Sequence, residues 1–364
     1  MSERIVDKLA RRIRAEGPLT VAAFMATALH DAEGGYYATQ EPIGAAGDFT
    51  TAPEISQIFG ELIGLWCAEL WGRIGRPNPV VVAELGPGRG VLITDLLRAA
   101  AGVPEFRGAL SILLVEVSQV LRAEQQRRLR DAQATWVSSI EDLPEGPMLL
   151  IANEFLDALP IRQLIRTAGG WAEHMVGVDR EGRLVFVSGP ASPAAGLLVP
   201  EPLRQSPPGT IVEICPAALT LAAALGSRFA RQPGAALFID YGYFSPAPGP
   251  TMRALRHHRP ICALSAPGSA DLSAHVDFGS FIAAARASGA RAYGPVSQRC
   301  FLETLGAGLR LAALRARATP PQRSALETGL RRLLDPAEMG ELFKVVAIAS
   351  PDFPTPAGFG EAAL

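Results

Sequence analysis

Residues 80–97, VVVAELGPGRGVLITDLL, join a β-branched run to a helix-like pattern through a turn built on Gly86, Gly88 and Gly90. Glycine at a strand-to-helix turn admits positive φ and lets backbone N–H groups come close to a ligand. The spacing is Glu84-x-Gly86-x-Gly88-x-Gly90. A dinucleotide turn needs G-x-G-x-x-G. The third glycine comes one residue too early for that, and Pro87 stiffens the loop. The turn therefore calls for an open sheet with a ligand at the carboxyl ends of its strands, and a ligand other than NAD.

From residue 80 to about 152 strands and helices alternate. VVVAEL, LSILLVEV, TWVSS and PMLLIANEF read as strands, with helices over 90–100 and 118–132. Near-continuous apolar strands separated by helices mean a mostly parallel sheet covered on both faces, the α/β class. Before it, residues 2–15 and 19–31 read as helices, with Leu9, Ile13, Phe24, Met25 and Leu29 recurring on one face. Residues 30–56 read as a long loop, and a helix over 53–72 starts at Pro53. After the sheet, 161–214 reads as an inserted β-ribbon. A helix at 216–230, the strand AALFIDYGY and an irregular stretch at 244–274 follow. VDFGSFIAAARASG is a helix, and ARAYGPVSQ and LFKVVAIAS are candidate final strands with helices between them. The expected organisation is an N-terminal helical region over 1–75 and a main α/β domain over 76–350. The main domain contains the 161–214 ribbon and C-terminal helices at about 301–334, and 351–364 is a tail.

Composition removes several function classes. A formal net charge of −2 gives no general attraction to nucleic acid or anionic lipid. Cys67, Cys215, Cys262 and Cys300 form no CxxC pair and no zinc-ligand spacing, so no metal is expected and a reducing, cytoplasmic compartment fits. The N-terminus lacks the apolar core of a signal peptide, and no apolar run reaches the ~20 residues of a membrane span.

The second strand ends on Glu116, where a carboxylate can accept both hydroxyls of an unmodified ribose. In SSIEDLP, Ile140 can flank an adenine face, while Asp142 suits either a turn cap or a ligand contact. A glycine loop, a ribose acid and an adenine wall suit an adenosyl ligand without a pyrophosphate, of which S-adenosylmethionine is the commonest. The residues expected against it are Gly86, Pro87, Gly88, Gly90, Glu116, Val117, Ile140 and Asn153.

The chain resembles the MidA-like family, which includes the mitochondrial complex I assembly-factor methyltransferase and its bacterial relatives. The matching stretches are GGYYATQEPIGAAGDFTTAPEISQIFGELIGLW, AELGPGRG, LVEVS, ANEFLDALP, IDYGY, APGSADLSAHVDF and MGELFKV, spanning about 34–346. The resemblance implies a class I methyltransferase sheet with one antiparallel strand. It implies S-adenosylmethionine-dependent methylation of a protein arginine, on the large hydrogenase-like subunit of respiratory complex I. Bacterial members would be cytoplasmic and eukaryotic relatives would act in the mitochondrial matrix.

Methyl transfer to a guanidinium needs carboxylates that orient the planar fork and draw charge from the attacking nitrogen. Glu154 is the leading substrate ligand and Asp157 the second, because one helical turn after the fourth strand would bring them together. Helix-start acids favoured by the dipole are the structural alternative. Asn153 can reach cofactor or substrate through its amide. Asp48, with Thr50 and Thr51, is placed to cover cofactor or peptide, with Gly44 and Gly47 as hinges, or simply caps the helix at Pro53. Asp240, Tyr241 and Tyr243 end a later strand, where Tyr241 can stack on a guanidinium or serve the core. His257-His258 lack partners at metal-ligand spacing, His275 is catalytic or structural, and Trp66 and Trp71 belong to a core or interface. Three competing functions remain: a cofactor-holding assembly chaperone, a small-molecule methyltransferase, and, against the glycine spacing, an NAD-dependent oxidoreductase.

Overall fold

The computed structural model describes residues 4–39, 44, 48 and 50–360. The chain forms two compact units, each made of three segments. One comprises residues 50–155, 222–242 and 282–364, and the other 1–49, 156–221 and 243–281. This division differs from a boundary at 75/76. The helix after residue 56 belongs with the sheet, and the 161–214 ribbon belongs with the N-terminal helices.

The first unit is built on strands β1 (Val80–Leu85), β2 (Leu110–Val115), β3 (Thr135–Val137), β4 (Met148–Asn153), β5 (Gly234–Tyr243), β6 (Arg291–Ser297) and β7 (Phe343–Ala349). They lie in the order β6-β7-β5-β4-β1-β2-β3. β1 pairs in parallel with β2 and β4, β2 with β3, and β4 with β5. β7 alone in this order runs antiparallel to its neighbours, β5 and β6. Every residue of β4 and β7 is buried, as a sheet covered on both faces requires. The expected α/β sheet with one antiparallel strand is present.

Helices α1 (Gln57–Arg73), α2 (Val91–Ala100) and α3 (Gln119–Arg128) position the strand tips. The expected single helix over 53–72 is two: Ala52–Ile55, then α1. Ser56 breaks it with extended backbone (φ −155°), and its hydroxyl caps α1 by accepting the Ile58 N–H. A Cβ on Gly60 would fall 2.7 Å from Asp95 Cβ, and one on Gly64 2.8 Å from Leu96 Cα, so these glycines let α1 press against α2. Trp66 and Trp71 are buried in this core with Ile63, Val82 and Leu114.

In the second unit, helices Ile5–Glu16 and Val21–His30 bury Leu9, Ile13, Phe24, Met25 and Leu29, as their spacing predicts. Thr20 caps the second by accepting the Ala23 N–H at 3.1 Å. The ribbon is an antiparallel sheet of Arg162–Thr167, Gly170–Val178, Leu184–Ala191 and Ile211–Ile214, which Leu19–Thr20 joins. The stretch at 244–274 is not irregular throughout. It holds a three-stranded sheet of Arg253–Arg256, Arg259–Ile261 and Asp271–Ser273. Its hairpin turns at His257-His258, with φ of +50° and +57°. Two positive φ values are the mark of a type I′ turn, whose usual Asn-Gly signature is absent. Among the described residues no helix is long and apolar enough to cross a membrane.

Candidate functional site

β1 sits between β2 and β4, and its chain leaves the sheet at Gly86. Gly86, Gly88 and Gly90 have φ of +60°, +52° and +74°. An L-residue there costs about 1–2 kcal/mol. A Cβ on Gly86 would also lie 2.9 Å from Phe155 Cδ2. Gly90 donates its N–H to the Pro87 carbonyl at 2.7 Å and opens α2 in left-handed conformation. The turn is closed on itself, and the N-terminus of α2 has no acid in its first turn.

Glu116 lies at the tip of β2 and is buried. Its Oε1 accepts the Ser118 N–H at 2.8 Å, and its Oε2 accepts Gln125 Nε2 at 2.9 Å. The same Gln125 nitrogen donates to the Gly88 carbonyl at 2.7 Å. One amide on α3 thus spans the glycine turn and the Glu116 carboxylate, which are therefore close enough to meet a single nucleoside. Arg89 in the turn also donates to Glu124 on α3 at 2.8 Å. Beside Glu116, Val117 is 60 % exposed, an apolar surface that a planar base can cover. Ile140 opens a short 3-10 turn after β3, half-buried, and Ser139 caps that turn rather than Asp142.

Two buried acceptors at neighbouring strand ends lack protein donors. Glu84 Oε2 on β1 and Asn153 Oδ1 on β4 have no hydrogen-bond partner. Burial pushes Glu84 up to about 8, with repulsion from Glu116 adding to it and the Ile93 N–H opposing it. Asn153 turns its Nδ2 toward Glu154 Oε1 at 3.1 Å, which leaves its oxygen as the inward acceptor. Orphaned acceptors in a buried site are costly unless a ligand donates to them. A ligand with an ammonium group supplies such donors.

Glu154 has φ of +50°, a conformation that a non-glycine residue rarely holds without a functional or packing reason. Its Oε1 also accepts the Ala52 N–H at 3.0 Å. No helix follows β4, and 154–160 is a series of bends and turns, so the expected helical turn joining Glu154 and Asp157 does not exist. Glu154 belongs to the sheet unit and Asp157 to the other.

In that second unit Asp157 joins Asp48 and Asp271, all at least nine-tenths buried. Tyr36 donates its hydroxyl to Asp48 Oδ2 at 2.7 Å, and Tyr37 to Asp271 Oδ1 at 3.0 Å. The His257 N–H also donates to Asp48, so the hairpin turn and Asp48 are tied together. Burial pushes the Asp271 carboxyl up to about 7, repulsion from Asp157 and Asp48 adds to this, and the Tyr37 hydroxyl opposes it. Neighbouring buried carboxylates disfavour one another's charged form, which is why Asp157 and Asp48 add to the rise at Asp271. Gly44 has φ of +111°, while Gly47 lies outside the described residues. Thr51 precedes the Ala52–Ile55 helix without capping it through its side chain.

Tyr241 meets the Phe343 ring edge-on at 5.4 Å, and Asp240 accepts the Tyr241 N–H at 2.9 Å. The Tyr243 and His275 rings lie 5.3 Å apart in the second unit. Sequence reasoning missed Gln125 and Asp271. Gln125 is one polar residue in a polar helix and gives no signal. Asp271 stood inside the recognised stretch APGSADLSAHVDF, and its apolar neighbours Ala270 and Leu272 were the clue to its burial.

Residues 62–296 match the family described as S-adenosyl-L-methionine-dependent methyltransferase. The chain is 36 % identical over 375 residues to protein arginine methyltransferase NDUFAF7, mitochondrial, of Danio rerio, covering 96 % of this chain and 87 % of that one. The Mus musculus protein of the same name is 37 % identical, with 93 % of this chain and 82 % of that one covered. Among solved structures, a candidate methyl transferase from Burkholderia thailandensis bound to S-adenosyl-homocysteine superposes with a TM-score of 0.83. It shares 28 % identity, over 98 % of this chain and 94 % of that one.

Proposed function

The chain belongs to this family of S-adenosyl-L-methionine-dependent methyltransferases, and on that premise we propose that it methylates an arginine of a protein substrate. The relatives' names and the buried carboxylates support that substrate class. The observation that carries the nucleoside site is the single Gln125 amide reaching both Gly88 and Glu116.

The cofactor supplies an electrophilic methyl group on a sulfonium. In this reading the Gly86–Gly90 turn accommodates its polar tail, Glu116 accepts ribose hydroxyls, and Val117 and Ile140 cover the adenine. Glu84 Oε2 and Asn153 Oδ1, which have no protein donors, receive its ammonium. Glu154 orients the substrate guanidinium, and the Asn153 amide donates to the Glu154 carboxylate at 3.1 Å. With the cofactor bound, the guanidinium nitrogen would take the methyl carbon as the C–S electrons stay on sulfur, and the proton it loses would pass to the Glu154 carboxylate or to water. A carboxylate paired to the other guanidinium nitrogens localises positive charge away from the attacking one.

The proposed target is the large hydrogenase-like subunit of respiratory complex I, as the family resemblance implies. The proposed compartment is the reducing cytoplasm, consistent with four free cysteines.

Methyl-labelled cofactor mixed with the purified subunit should place label on arginine. Glu154→Gln should cut transfer by roughly 10²-fold or more while leaving S-adenosyl-homocysteine affinity within about threefold. Label retained in that variant removes Glu154 from its role. Absence of label with the intact protein removes the substrate.

A further inference from the structure

Gln125 is fully buried on α3, and its amide is engaged at every face the structure describes. The Trp136 indole Nε1–H donates to Gln125 Oε1 at 2.9 Å. An indole nitrogen is a donor and never an acceptor, so this contact fixes which end of the amide is oxygen. Nε2 must then face the opposite way, toward the Gly88 carbonyl at 2.7 Å and Glu116 Oε2 at 2.9 Å. The order is a relay: indole to amide oxygen, amide nitrogen to both the loop and the acid.

The relay limits what Glu116 can do. An ionised carboxylate has about four lone-pair positions. Ser118 and Gln125 take one on each oxygen. The Val117 N–H adds a further donor to the same carboxylate. We propose that Gln125, with its amide set by Trp136, is a positioning residue that presents the Glu116 carboxylate to the ribose hydroxyls of the cofactor and holds the glycine turn at the matching distance. This rests on Glu116 as the ribose acceptor.

Electrostatics supports the same role. Burial raises the Glu116 carboxyl, and donation from Ser118 and from Gln125 lowers it again. Glu84 adds a second buried acid nearby. Losing the Gln125 donor shifts Glu116 further toward its protonated form, which holds a proton where a hydroxyl should donate. The adjacent ion pair between Arg89 and Glu124 docks α3 onto the turn independently, so α3 need not leave when Gln125 is changed.

The test is a calorimetric cycle with S-adenosyl-homocysteine and its 2′,3′-dideoxy analogue on the full chain and on Gln125→Met, Trp136→Phe and Glu116→Ala. The unaltered protein should prefer the ribose form by at least about tenfold, by the usual strength of hydrogen bonds to a charged group. Glu116→Ala should erase that preference. Gln125→Met should reduce it to within about threefold, with a smaller loss of affinity for the dideoxy analogue than for the ribose form. Trp136→Phe should lower it in the same direction and by less. In Gln125→Met, ribose-form affinity should also fall as pH drops, more steeply than in the unaltered protein. If Gln125→Met weakens both ligands in parallel, or keeps the full preference, the relay has no positioning role. If Gln125→Met fails to fold, full preference in Trp136→Phe overturns the proposal just as well. If Glu116→Ala keeps the preference, the ribose assignment itself fails, whatever Gln125 does.

Discussion

The two units bury acids in opposite ways. At the strand tips of the sheet unit, Glu116 is met by a backbone N–H and the Gln125 amide, all supplied by one stretch of chain between β2 and the end of α3. In the second unit, Asp48, Asp157 and Asp271 come from three distant segments, and the phenols of Tyr36 and Tyr37 donate to Asp48 and Asp271. The first arrangement holds a carboxylate between two neutral donors. The second leaves negative groups facing one another, with Asp271 titrating near neutrality. A local frame suits a rigid, invariant ligand such as a nucleoside. A frame collected from afar exists only once the distant segments have packed.

The contrast can be broken most sharply at Gly86. Gly86→Val adds a β-branched side chain at φ +60° against Phe155. Left-handed backbone and this clash together should weaken S-adenosyl-homocysteine by roughly 100-fold or more, read by calorimetry. Next comes Glu116→Ala, which removes a charged acceptor and should cost about 10–100-fold in the same measurement, at unchanged affinity for arginine peptide. Full cofactor affinity in either variant would leave the strand tips without a nucleoside role.

Asp271→Asn tests the other side, with opposite signs for stability and activity. The folded carboxyl titrates at about 7 against an ordinary 3.8. Below 3.8 both states are neutral and burial costs nothing through this group. Between 3.8 and 7 the unfolded chain ionises while the folded chain keeps its proton, so stability falls as pH rises. The asparagine variant should therefore gain stability over the unaltered protein from pH 5 to 8, by at most roughly 4 kcal/mol, followed by thermal denaturation. Transfer to arginine should drop about tenfold, with cofactor affinity unchanged. A variant that loses stability as pH rises would contradict the burial of a costly charge there. The smallest effect is expected from Ser56→Ala. It removes a helix cap, should cost ~1 kcal/mol of stability and should leave both ligand sites alone.

How far the amino-acid order could be read follows the same division. The glycine turn, Glu116 and the parallel strands were legible because each signal lies within one βα unit, where backbone rules act over a few residues. The second unit was legible in its ribbon and in its helix faces, and illegible where contacts span the chain. Asp271 looks like an ordinary loop acid until Tyr37 is seen against it. The His257-His258 turn hid a hairpin because positive φ there is imposed by the flanking strands and by Asp48, with no glycine to announce it. Ser56 shows a local failure: the helical period runs through it, yet its own hydroxyl ends one helix and starts the next.

The six segments of the two units alternate along the chain, so the backbone passes from one to the other at 49/50, 155/156, 221/222, 242/243 and 281/282. No single cut, truncation or contiguous gene fragment isolates either body. A nucleoside-holding half cannot be expressed without splicing three pieces together. Such a chain must be inherited, synthesised and proofread as one piece, and a frameshift or early stop anywhere before the final strand removes part of the sheet unit.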